Sequence, residues 1–210
     1  MPYEVHTYLN GPLEQNCYYL RAEGAEDGIL VDPGSNPDLL LQKLGAWKPA
    51  LMVATHGHFD HIGAVAALAD RYGCPFAMAR KDEALLESLE DSFEFYGMGH
   101  TRKPDVSFWL EAGKPVHAAG LTLKVLETPG HTPGGLCFFH AVSNSLFSGD
   151  TLFAGSIGRS DFEGSSHTQL IASIRRELFS LPELDLIRVY PGHGEASTLG
   201  EELRSNPFLQ

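Results

Sequence analysis

The chain has 210 residues, 43% of them hydrophobic and 20% charged, an ordinary globular composition that excludes wholesale disorder. A formal net charge of −12, from 27 acidic against 15 basic residues, is the wrong sign for a phosphate-backbone partner and argues against nucleic acid. The start has no basic, apolar leader and no apolar run approaches the roughly 18 residues of a membrane span, so a cytoplasmic protein with no membrane association is expected.

One domain spanning 1–210 is expected from the length. The opening 32 residues read as strands. Gln15 to Arg21 and Gly28 to Val31 form a hairpin about the polar turn Glu23 to Asp27. Asp32-Pro33-Gly34-Ser35 is turn chemistry, Asn36 is a helix N-cap, and Pro37 opens a helix with Leu39, Leu40, Leu41 and Leu44 on one face and Gly45 as its stop. Ala50 to Thr55 is a strand, Ile62 to Tyr72 a helix closed by Gly73, Pro75 to Ala79 a strand and Lys81 to Glu90 a helix. Ser92 to Val106 reads as a helical turn or a loop over a site. Strands return at Leu121 to Leu126, Gly135 to His140 and Ser145 to Ser148, followed by a helix over His167 to Leu178, a strand at Leu186 to Tyr190 and a last helix at Leu199 to Arg204. Strands alternating with helices in each half predict two sheets with helices outside them. Cys17, Cys74 and Cys137 are odd in number, far apart and set in apolar runs, so they read as buried thiols.

Ten histidines are many for this length, and they are unevenly placed. Four turns stand out, each after a predicted strand: His56-Gly57-His58-Phe59-Asp60-His61, Gly130-His131-Thr132, Gly149-Asp150-Thr151 and Pro191-Gly192-His193-Gly194. Four donors within the first turn are too crowded for one tetrahedral ion. Alternate side chains of an extended segment point the same way, so His56 and His58 can share one ion, while Asp60 and His61, at the start of the helix, serve a second. His131 then completes the first site, His193 the second, and Asp150, with two carboxylate oxygens, lies between them. His6, His100, His117, His140 and His167 read as loop or core residues.

This string of turns, in this order, resembles the metallo-β-lactamase superfamily, and the H-x-H-x-D-H spacing resembles its glyoxalase II-like branch. Gly149-Asp150-Thr151-Leu152-Phe153, Gly158-Arg159-Ser160-Asp161-Phe162 and the ending from Thr198 through Asn206-Pro207-Phe208-Leu209 resemble a compact bacterial, hydroxyacylglutathione hydrolase-like subgroup. The resemblance implies an α/β fold, an αββα sandwich of two mixed sheets with outer helices. It implies two divalent ions, zinc first and iron or manganese as alternatives. His56, His58 and His131 would hold one ion, Asp60, His61 and His193 the other, and Asp150 would bridge. Asp32, in the turn Asp32-Pro33-Gly34, would support the ligands from behind. Asp150 and His61 in the ligand set argue against β-lactamase activity. The chain ends about 17 residues after His193, leaving no room for the helical domain with which longer glyoxalase II enzymes bind glutathione. The implied activity is hydrolysis of a small-molecule acyl thioester such as S-lactoylglutathione, with Asp60 orienting the attacking hydroxide. The alternative is a persulfide dioxygenase acting on glutathione persulfide through one iron on His56, His131 and Asp150; Gly194-Glu195 stand where that family has an aromatic residue. Arg159 is read as a contact to an anionic substrate or as an ion pair to the helix that begins near His167.

Overall fold

The computed structural model describes residues 2–210. One six-stranded sheet runs β1 (Tyr3–Asn10), β2 (Gln15–Ala22), β3 (Asp27–Val31), β4 (Lys48–Val53), β5 (Phe76–Ala79), β6 (Phe108–Leu110), antiparallel as far as β3 and parallel from there to β6. A second is ordered β14 (Ser197–Thr198), β13 (Arg188–Pro191), β10 (Ser145–Gly149), β9 (Leu136–His140), β8 (Leu121–Glu127), β7 (Val116–Ala118). A two-stranded ribbon, β11 (Leu152–Phe153) and β12 (Ser156–Ile157), stands apart.

Alternation along the strands builds the layers. On β2, Tyr18 and Leu20 face the other sheet and join Ile29, Val53, Leu123 and Phe138 in the central core. Cys17 and Tyr19 point the opposite way, into a core covered by Leu40 and Leu44 of α1 (Pro37–Leu44), Val65 and Leu68 of α3 (Val65–Tyr72) and Leu89 and Phe93 of α5 (Leu89–Phe95). Cys137, Phe139 and Leu146 turn outward from the second sheet onto Leu170 of α6 (His167–Ser173) and Leu199 of α7 (Leu199–Ser205). The predicted αββα sandwich is the observed architecture.

Local chemistry sets α1 as expected: the Asn36 side chain accepts the Leu39 N–H at 3.1 Å, Pro37 opens the helix, and Gly45, at φ 57°, ends it. All three cysteines are free and buried. No helix among the described residues is long and apolar enough to cross a membrane.

Several predicted boundaries are corrected. The single helix over 62–72 is two, α2 (Phe59–Ile62) and α3. The Ala64 N–H, which a continuous helix would direct to Asp60, instead donates to the Gly34 carbonyl at 2.7 Å, and His61 C=O accepts the Gly34 N–H at 3.0 Å. A Cβ at Gly63 would collide with the Phe93 ring. The helix over 81–90 is a tight turn followed by α4 (Glu83–Glu87) and, after a break at Ser88, by α5, which enters the stretch read as irregular. The 167–178 helix keeps Leu170, Ile174 and Leu178 buried but becomes a π-turn after Ser173. The last strand begins at Arg188 after a 3-10 turn at Leu184–Leu186. Short strands β6, β7, β11, β12 and β14 were not anticipated.

Because β8 and β10 both run antiparallel to β9, and β13 runs parallel to β10, the C-terminal ends of β8, β10 and β13 share one edge of the sandwich. That edge holds three of the four histidine- and aspartate-bearing turns, and β4 delivers the fourth.

Candidate metal centre

The four turns converge. Three overlapping groups have donor atoms within 4.8 Å of one another: His56, His58 and His131; His56, His61 and Asp150; and Asp60, His61 and His193. All seven residues singled out as ligands in the sequence are therefore brought together.

Four of the five imidazoles are oriented by their second nitrogen. The Thr55 hydroxyl donates to Asp32 Oδ2 at 2.8 Å, so its oxygen is left to accept from His56 Nδ1 at 3.1 Å. His131 Nδ1 lies 2.7 Å from the Arg159 carbonyl, His193 Nδ1 lies 3.1 Å from the Leu13 carbonyl, and His61 Nδ1 lies 3.0 Å from Asp32 Oδ2. Those acceptors hold a proton on Nδ1 and leave four Nε2 atoms facing the centre. His58 faces inward through Nδ1, which is 3.0 Å from both His56 Nε2 and His131 Nε2. One proton on His58 can satisfy only one of those neighbours, so at least one nitrogen pair meets lone pair to lone pair. A cation removes that conflict, and the spacing is close to the roughly 3.3 Å between ligands of tetrahedral zinc.

The second group is rich in carboxylate. Asp60 Oδ2 is 3.2 Å from His193 Nε2 and 3.7 Å from His61 Nε2. Asp150 presents Oδ1 at 3.4 Å from His61 Nε2, and Oδ2 at 3.6 Å from His131 Nε2 and 3.8 Å from His193 Nε2, so its carboxylate reaches both groups. His61 Nε2 and Asp150 Oδ1 are buried and have no hydrogen-bond partner. Buried atoms of this kind, an imidazole nitrogen and a carboxylate oxygen 3.4 Å apart with no hydrogen bond to either, fit a bound cation. Glycine makes room for them: a Cβ at Gly192 would strike the Asp150 carboxylate, and one at Gly158 would strike the Asp150 carbonyl.

Protonation follows from the surroundings. Burial, then the neighbouring His61, holds His56 well below the usual imidazole range, and burial with His131 beside it brings His58 down to about 4. These rings are neutral donors at physiological pH. Burial opposes charge on His61 as well, yet Asp60, Asp150 and Asp32 together raise it well above its ordinary value. Against that same burial, His61 pulls Asp60 and Asp150 down. Three carboxylates around one imidazole make this half of the site a place for positive charge.

The family model of the metallo-β-lactamase superfamily matches residues 10–193. The chain belongs to the metallo-β-lactamase superfamily. Hydroxyacylglutathione hydrolase GloC of Haemophilus influenzae is 37% identical over 201 residues, covering 93% of each chain. Among solved structures, BLEG-1 B3 metallo-β-lactamase superposes with a TM-score of 0.90 at 35% identity, covering 98% of this chain and 99% of that one. TTHA1623 in a di-iron-bound form gives 0.84 at 38% identity, covering 98% and 100%. The superfamily is one of metallo-hydrolases that typically bind a dinuclear metal site, and the two donor groups here fit such a site.

Within this superfamily frame, Asp32 stands behind the ligands as expected: it is buried, at φ 50°, and accepts the Thr55 N–H, the Thr55 hydroxyl and His61 Nδ1–H. Sequence reasoning missed Asp82. Its buried carboxylate accepts the Gly57 N–H at 2.9 Å, the Thr132 hydroxyl at 2.8 Å and the Gly134 N–H at 2.6 Å, tying the His56–His61 turn to the His131 turn. Burial pushes its carboxyl upward. A lone acid opening a polar helix carries no motif; the one available signal was glycine at both of the turns it joins.

Arg159 does not reach the helix at His167. Its guanidinium pairs with Asp161, both exposed, and lies over the Phe162 ring at 4.5 Å, while its carbonyl serves His131. Phe162 in turn packs edge-on to His58 and His131, and Phe153 lies beyond His193. Tyr96 stacks on Phe59 at 4.6 Å, which brings the stretch after α5 up to the His56–His61 turn. Of the histidines read as structural, His140 is buried and bonded to Ser143, and His117 is exposed beside Thr122.

Proposed function

We propose that the chain is a metal-dependent hydrolase of acyl thioesters, of the glyoxalase II type. The observation that carries this reading is the pair of abutting donor groups with the Asp150 carboxylate reaching both. In this reading His56, His58 and His131 hold one divalent ion, Asp60, His61 and His193 a second, and Asp150 bridges them, zinc being the first candidate metal. When bound, the ions supply a hydroxide at neutral pH and polarise the substrate carbonyl. Asp60 accepts a hydrogen bond from the nucleophile and aims it. The C–O bond forms, the C–S bond breaks, and the thiolate leaves without a strong general acid, so the absence of one from the ligand cluster is no obstacle. Similarity to a hydroxyacylglutathione hydrolase supports S-lactoylglutathione as the first substrate to try.

The test is metal analysis together with thioester turnover. Two ions per chain and rapid hydrolysis of S-lactoylglutathione are expected, and Asp150→Ala should lose both ions. Retention of two tightly held metals by that variant would end its bridging role. Similarity to a β-lactamase makes a chromogenic β-lactam the control, with little turnover expected. A second reading, a mononuclear-iron persulfide dioxygenase, draws support from His131 and Asp150 lying 3.6 Å apart, and the likeness to an iron-bound structure supports iron as the metal but not the count of one. Oxygen uptake with glutathione persulfide, without thioester hydrolysis, would establish it over the first.

A further inference from the structure

A groove of about 360 Å³ runs from the ligand His193 between the turn that joins β1 to β2 and the segment after β13. Its walls are Leu9, Leu13, Glu14, His193, Gly194 and Glu195. Leu9 and Leu13 are 60% and 49% exposed, although the chain folds this turn tightly onto the site through the bond from His193 to the Leu13 carbonyl. No lysine or arginine lines the groove, and two glutamates do. Arg159 belongs to the opposite side of the centre, with Phe162 against His58 and His131.

Apolar surface gains most by covering an apolar group, and carboxylates at a groove mouth repel a further carboxylate. We propose that this groove receives an uncharged, apolar arm of the substrate and refuses an anionic one. The substrate class is thereby narrowed to thioesters with an uncharged acyl arm, laid along Leu9 and Leu13 while the thiol arm points toward Phe162 and Arg159. Lactoylglutathione qualifies through its uncharged lactoyl arm; a thioester whose acyl arm ends in a carboxylate does not. The proposal rests on the thioesterase reading, and the experiment separates the two.

Hexanoyl-N-acetylcysteamine and its adipoyl counterpart differ only in a terminal carboxylate on the acyl arm. With metal-loaded enzyme, kcat/KM for the adipoyl thioester should be about tenfold lower, the loss lying in KM. At about 1 M salt, where the screening length falls to roughly 3 Å, the difference should shrink. The double variant Glu14→Gln/Glu195→Gln should close most of it at low salt. Equal turnover of the two thioesters, or a difference untouched by the double variant, would overturn the proposal. If neither thioester is hydrolysed, the thioesterase reading fails and the groove is judged by binding alone. The Leu9 and Leu13 methyl resonances should then move on titration with N-acetyl-S-hexylcysteamine and stay put with its ω-carboxylated analogue. Resonances that ignore both, or follow both equally, would sink the groove assignment.

Discussion

At the residue scale the centre depends on side chains outside the seven donors. Asp32 is one of five non-glycine residues with positive φ, a conformation that Asp and Asn tolerate better than most, and its carboxylate collects three donors. Asp32→Asn keeps the backbone but offers an amide N–H where His61 Nδ1–H or Thr55 needs an acceptor. The affinity for the ion at His61 should fall by about 10- to 100-fold, read by competition with a fluorescent chelator. Affinity equal to the parent protein's would show that Asp32 supports the turn and leaves His61 to orient itself. The cysteines are silent by comparison. Burial pushes the Cys74 and Cys137 thiols up to about 11 and holds Cys17 well above the ordinary thiol range. At pH 8 the folded protein should leave a thiol-exchange reagent unreacted, and the denatured chain should consume three equivalents.

At the scale of elements, Asp82 joins parts of the chain that share no strand. Replacing it with alanine leaves two buried N–H groups and one hydroxyl without an acceptor. A cost of about 2–4 kcal/mol is expected in urea unfolding, since each orphaned donor carries its own desolvation penalty. The same variant should loosen the ion held by His56, His58 and His131, because both turns that supply them lose their common anchor. A fully stable Asp82→Ala protein would rule out that tie. Elements also mark where the sequence was readable. α1 was legible because Asn36, Pro37 and Gly45 act on their nearest neighbours. The break at Gly63–Ala64 was not, since it is made by Gly34, thirty positions away in the chain, capturing backbone groups that helical periodicity assigns elsewhere. Strands of two or three residues such as β7, β11 and β14 carry too few side chains for alternation to appear, and exist through their partners. The seven donors were legible for the opposite reason: their chemistry depends on residue type, and four of them are packed into six consecutive positions. Asp82 lacked any such signature, its partners being mostly backbone.

At the scale of the whole molecule, the donors are divided between the two sheets. His56, His58, Asp60 and His61 follow β4 of the first, while His131, Asp150 and His193 follow β8, β10 and β13 of the second. Ions held between them would join the layers and relieve the lone-pair contacts among the histidines. A ligand at a thousand times its dissociation constant adds about 4 kcal/mol to stability, and for a chain of this length each kcal/mol moves the melting temperature by roughly 2–4 °C. Chelation should therefore lower the melting temperature by about 10 °C, reversibly on restoring zinc. An unchanged melting curve would mean that the sandwich holds its two halves without help.

Five of the seven donors stand in turns beyond strand ends and two, Asp60 and His61, in the single turn of α2. The groove beside His193 is walled by connections and the end of β1, whereas the three apolar cores lie within the layers. The frame and the reagents are thus encoded in separate stretches of the chain. Natural variation can rewrite the turn between Leu9 and Glu14, altering which molecules are admitted, with little penalty to folding, and a lineage built on this plan can change its diet without rebuilding its skeleton.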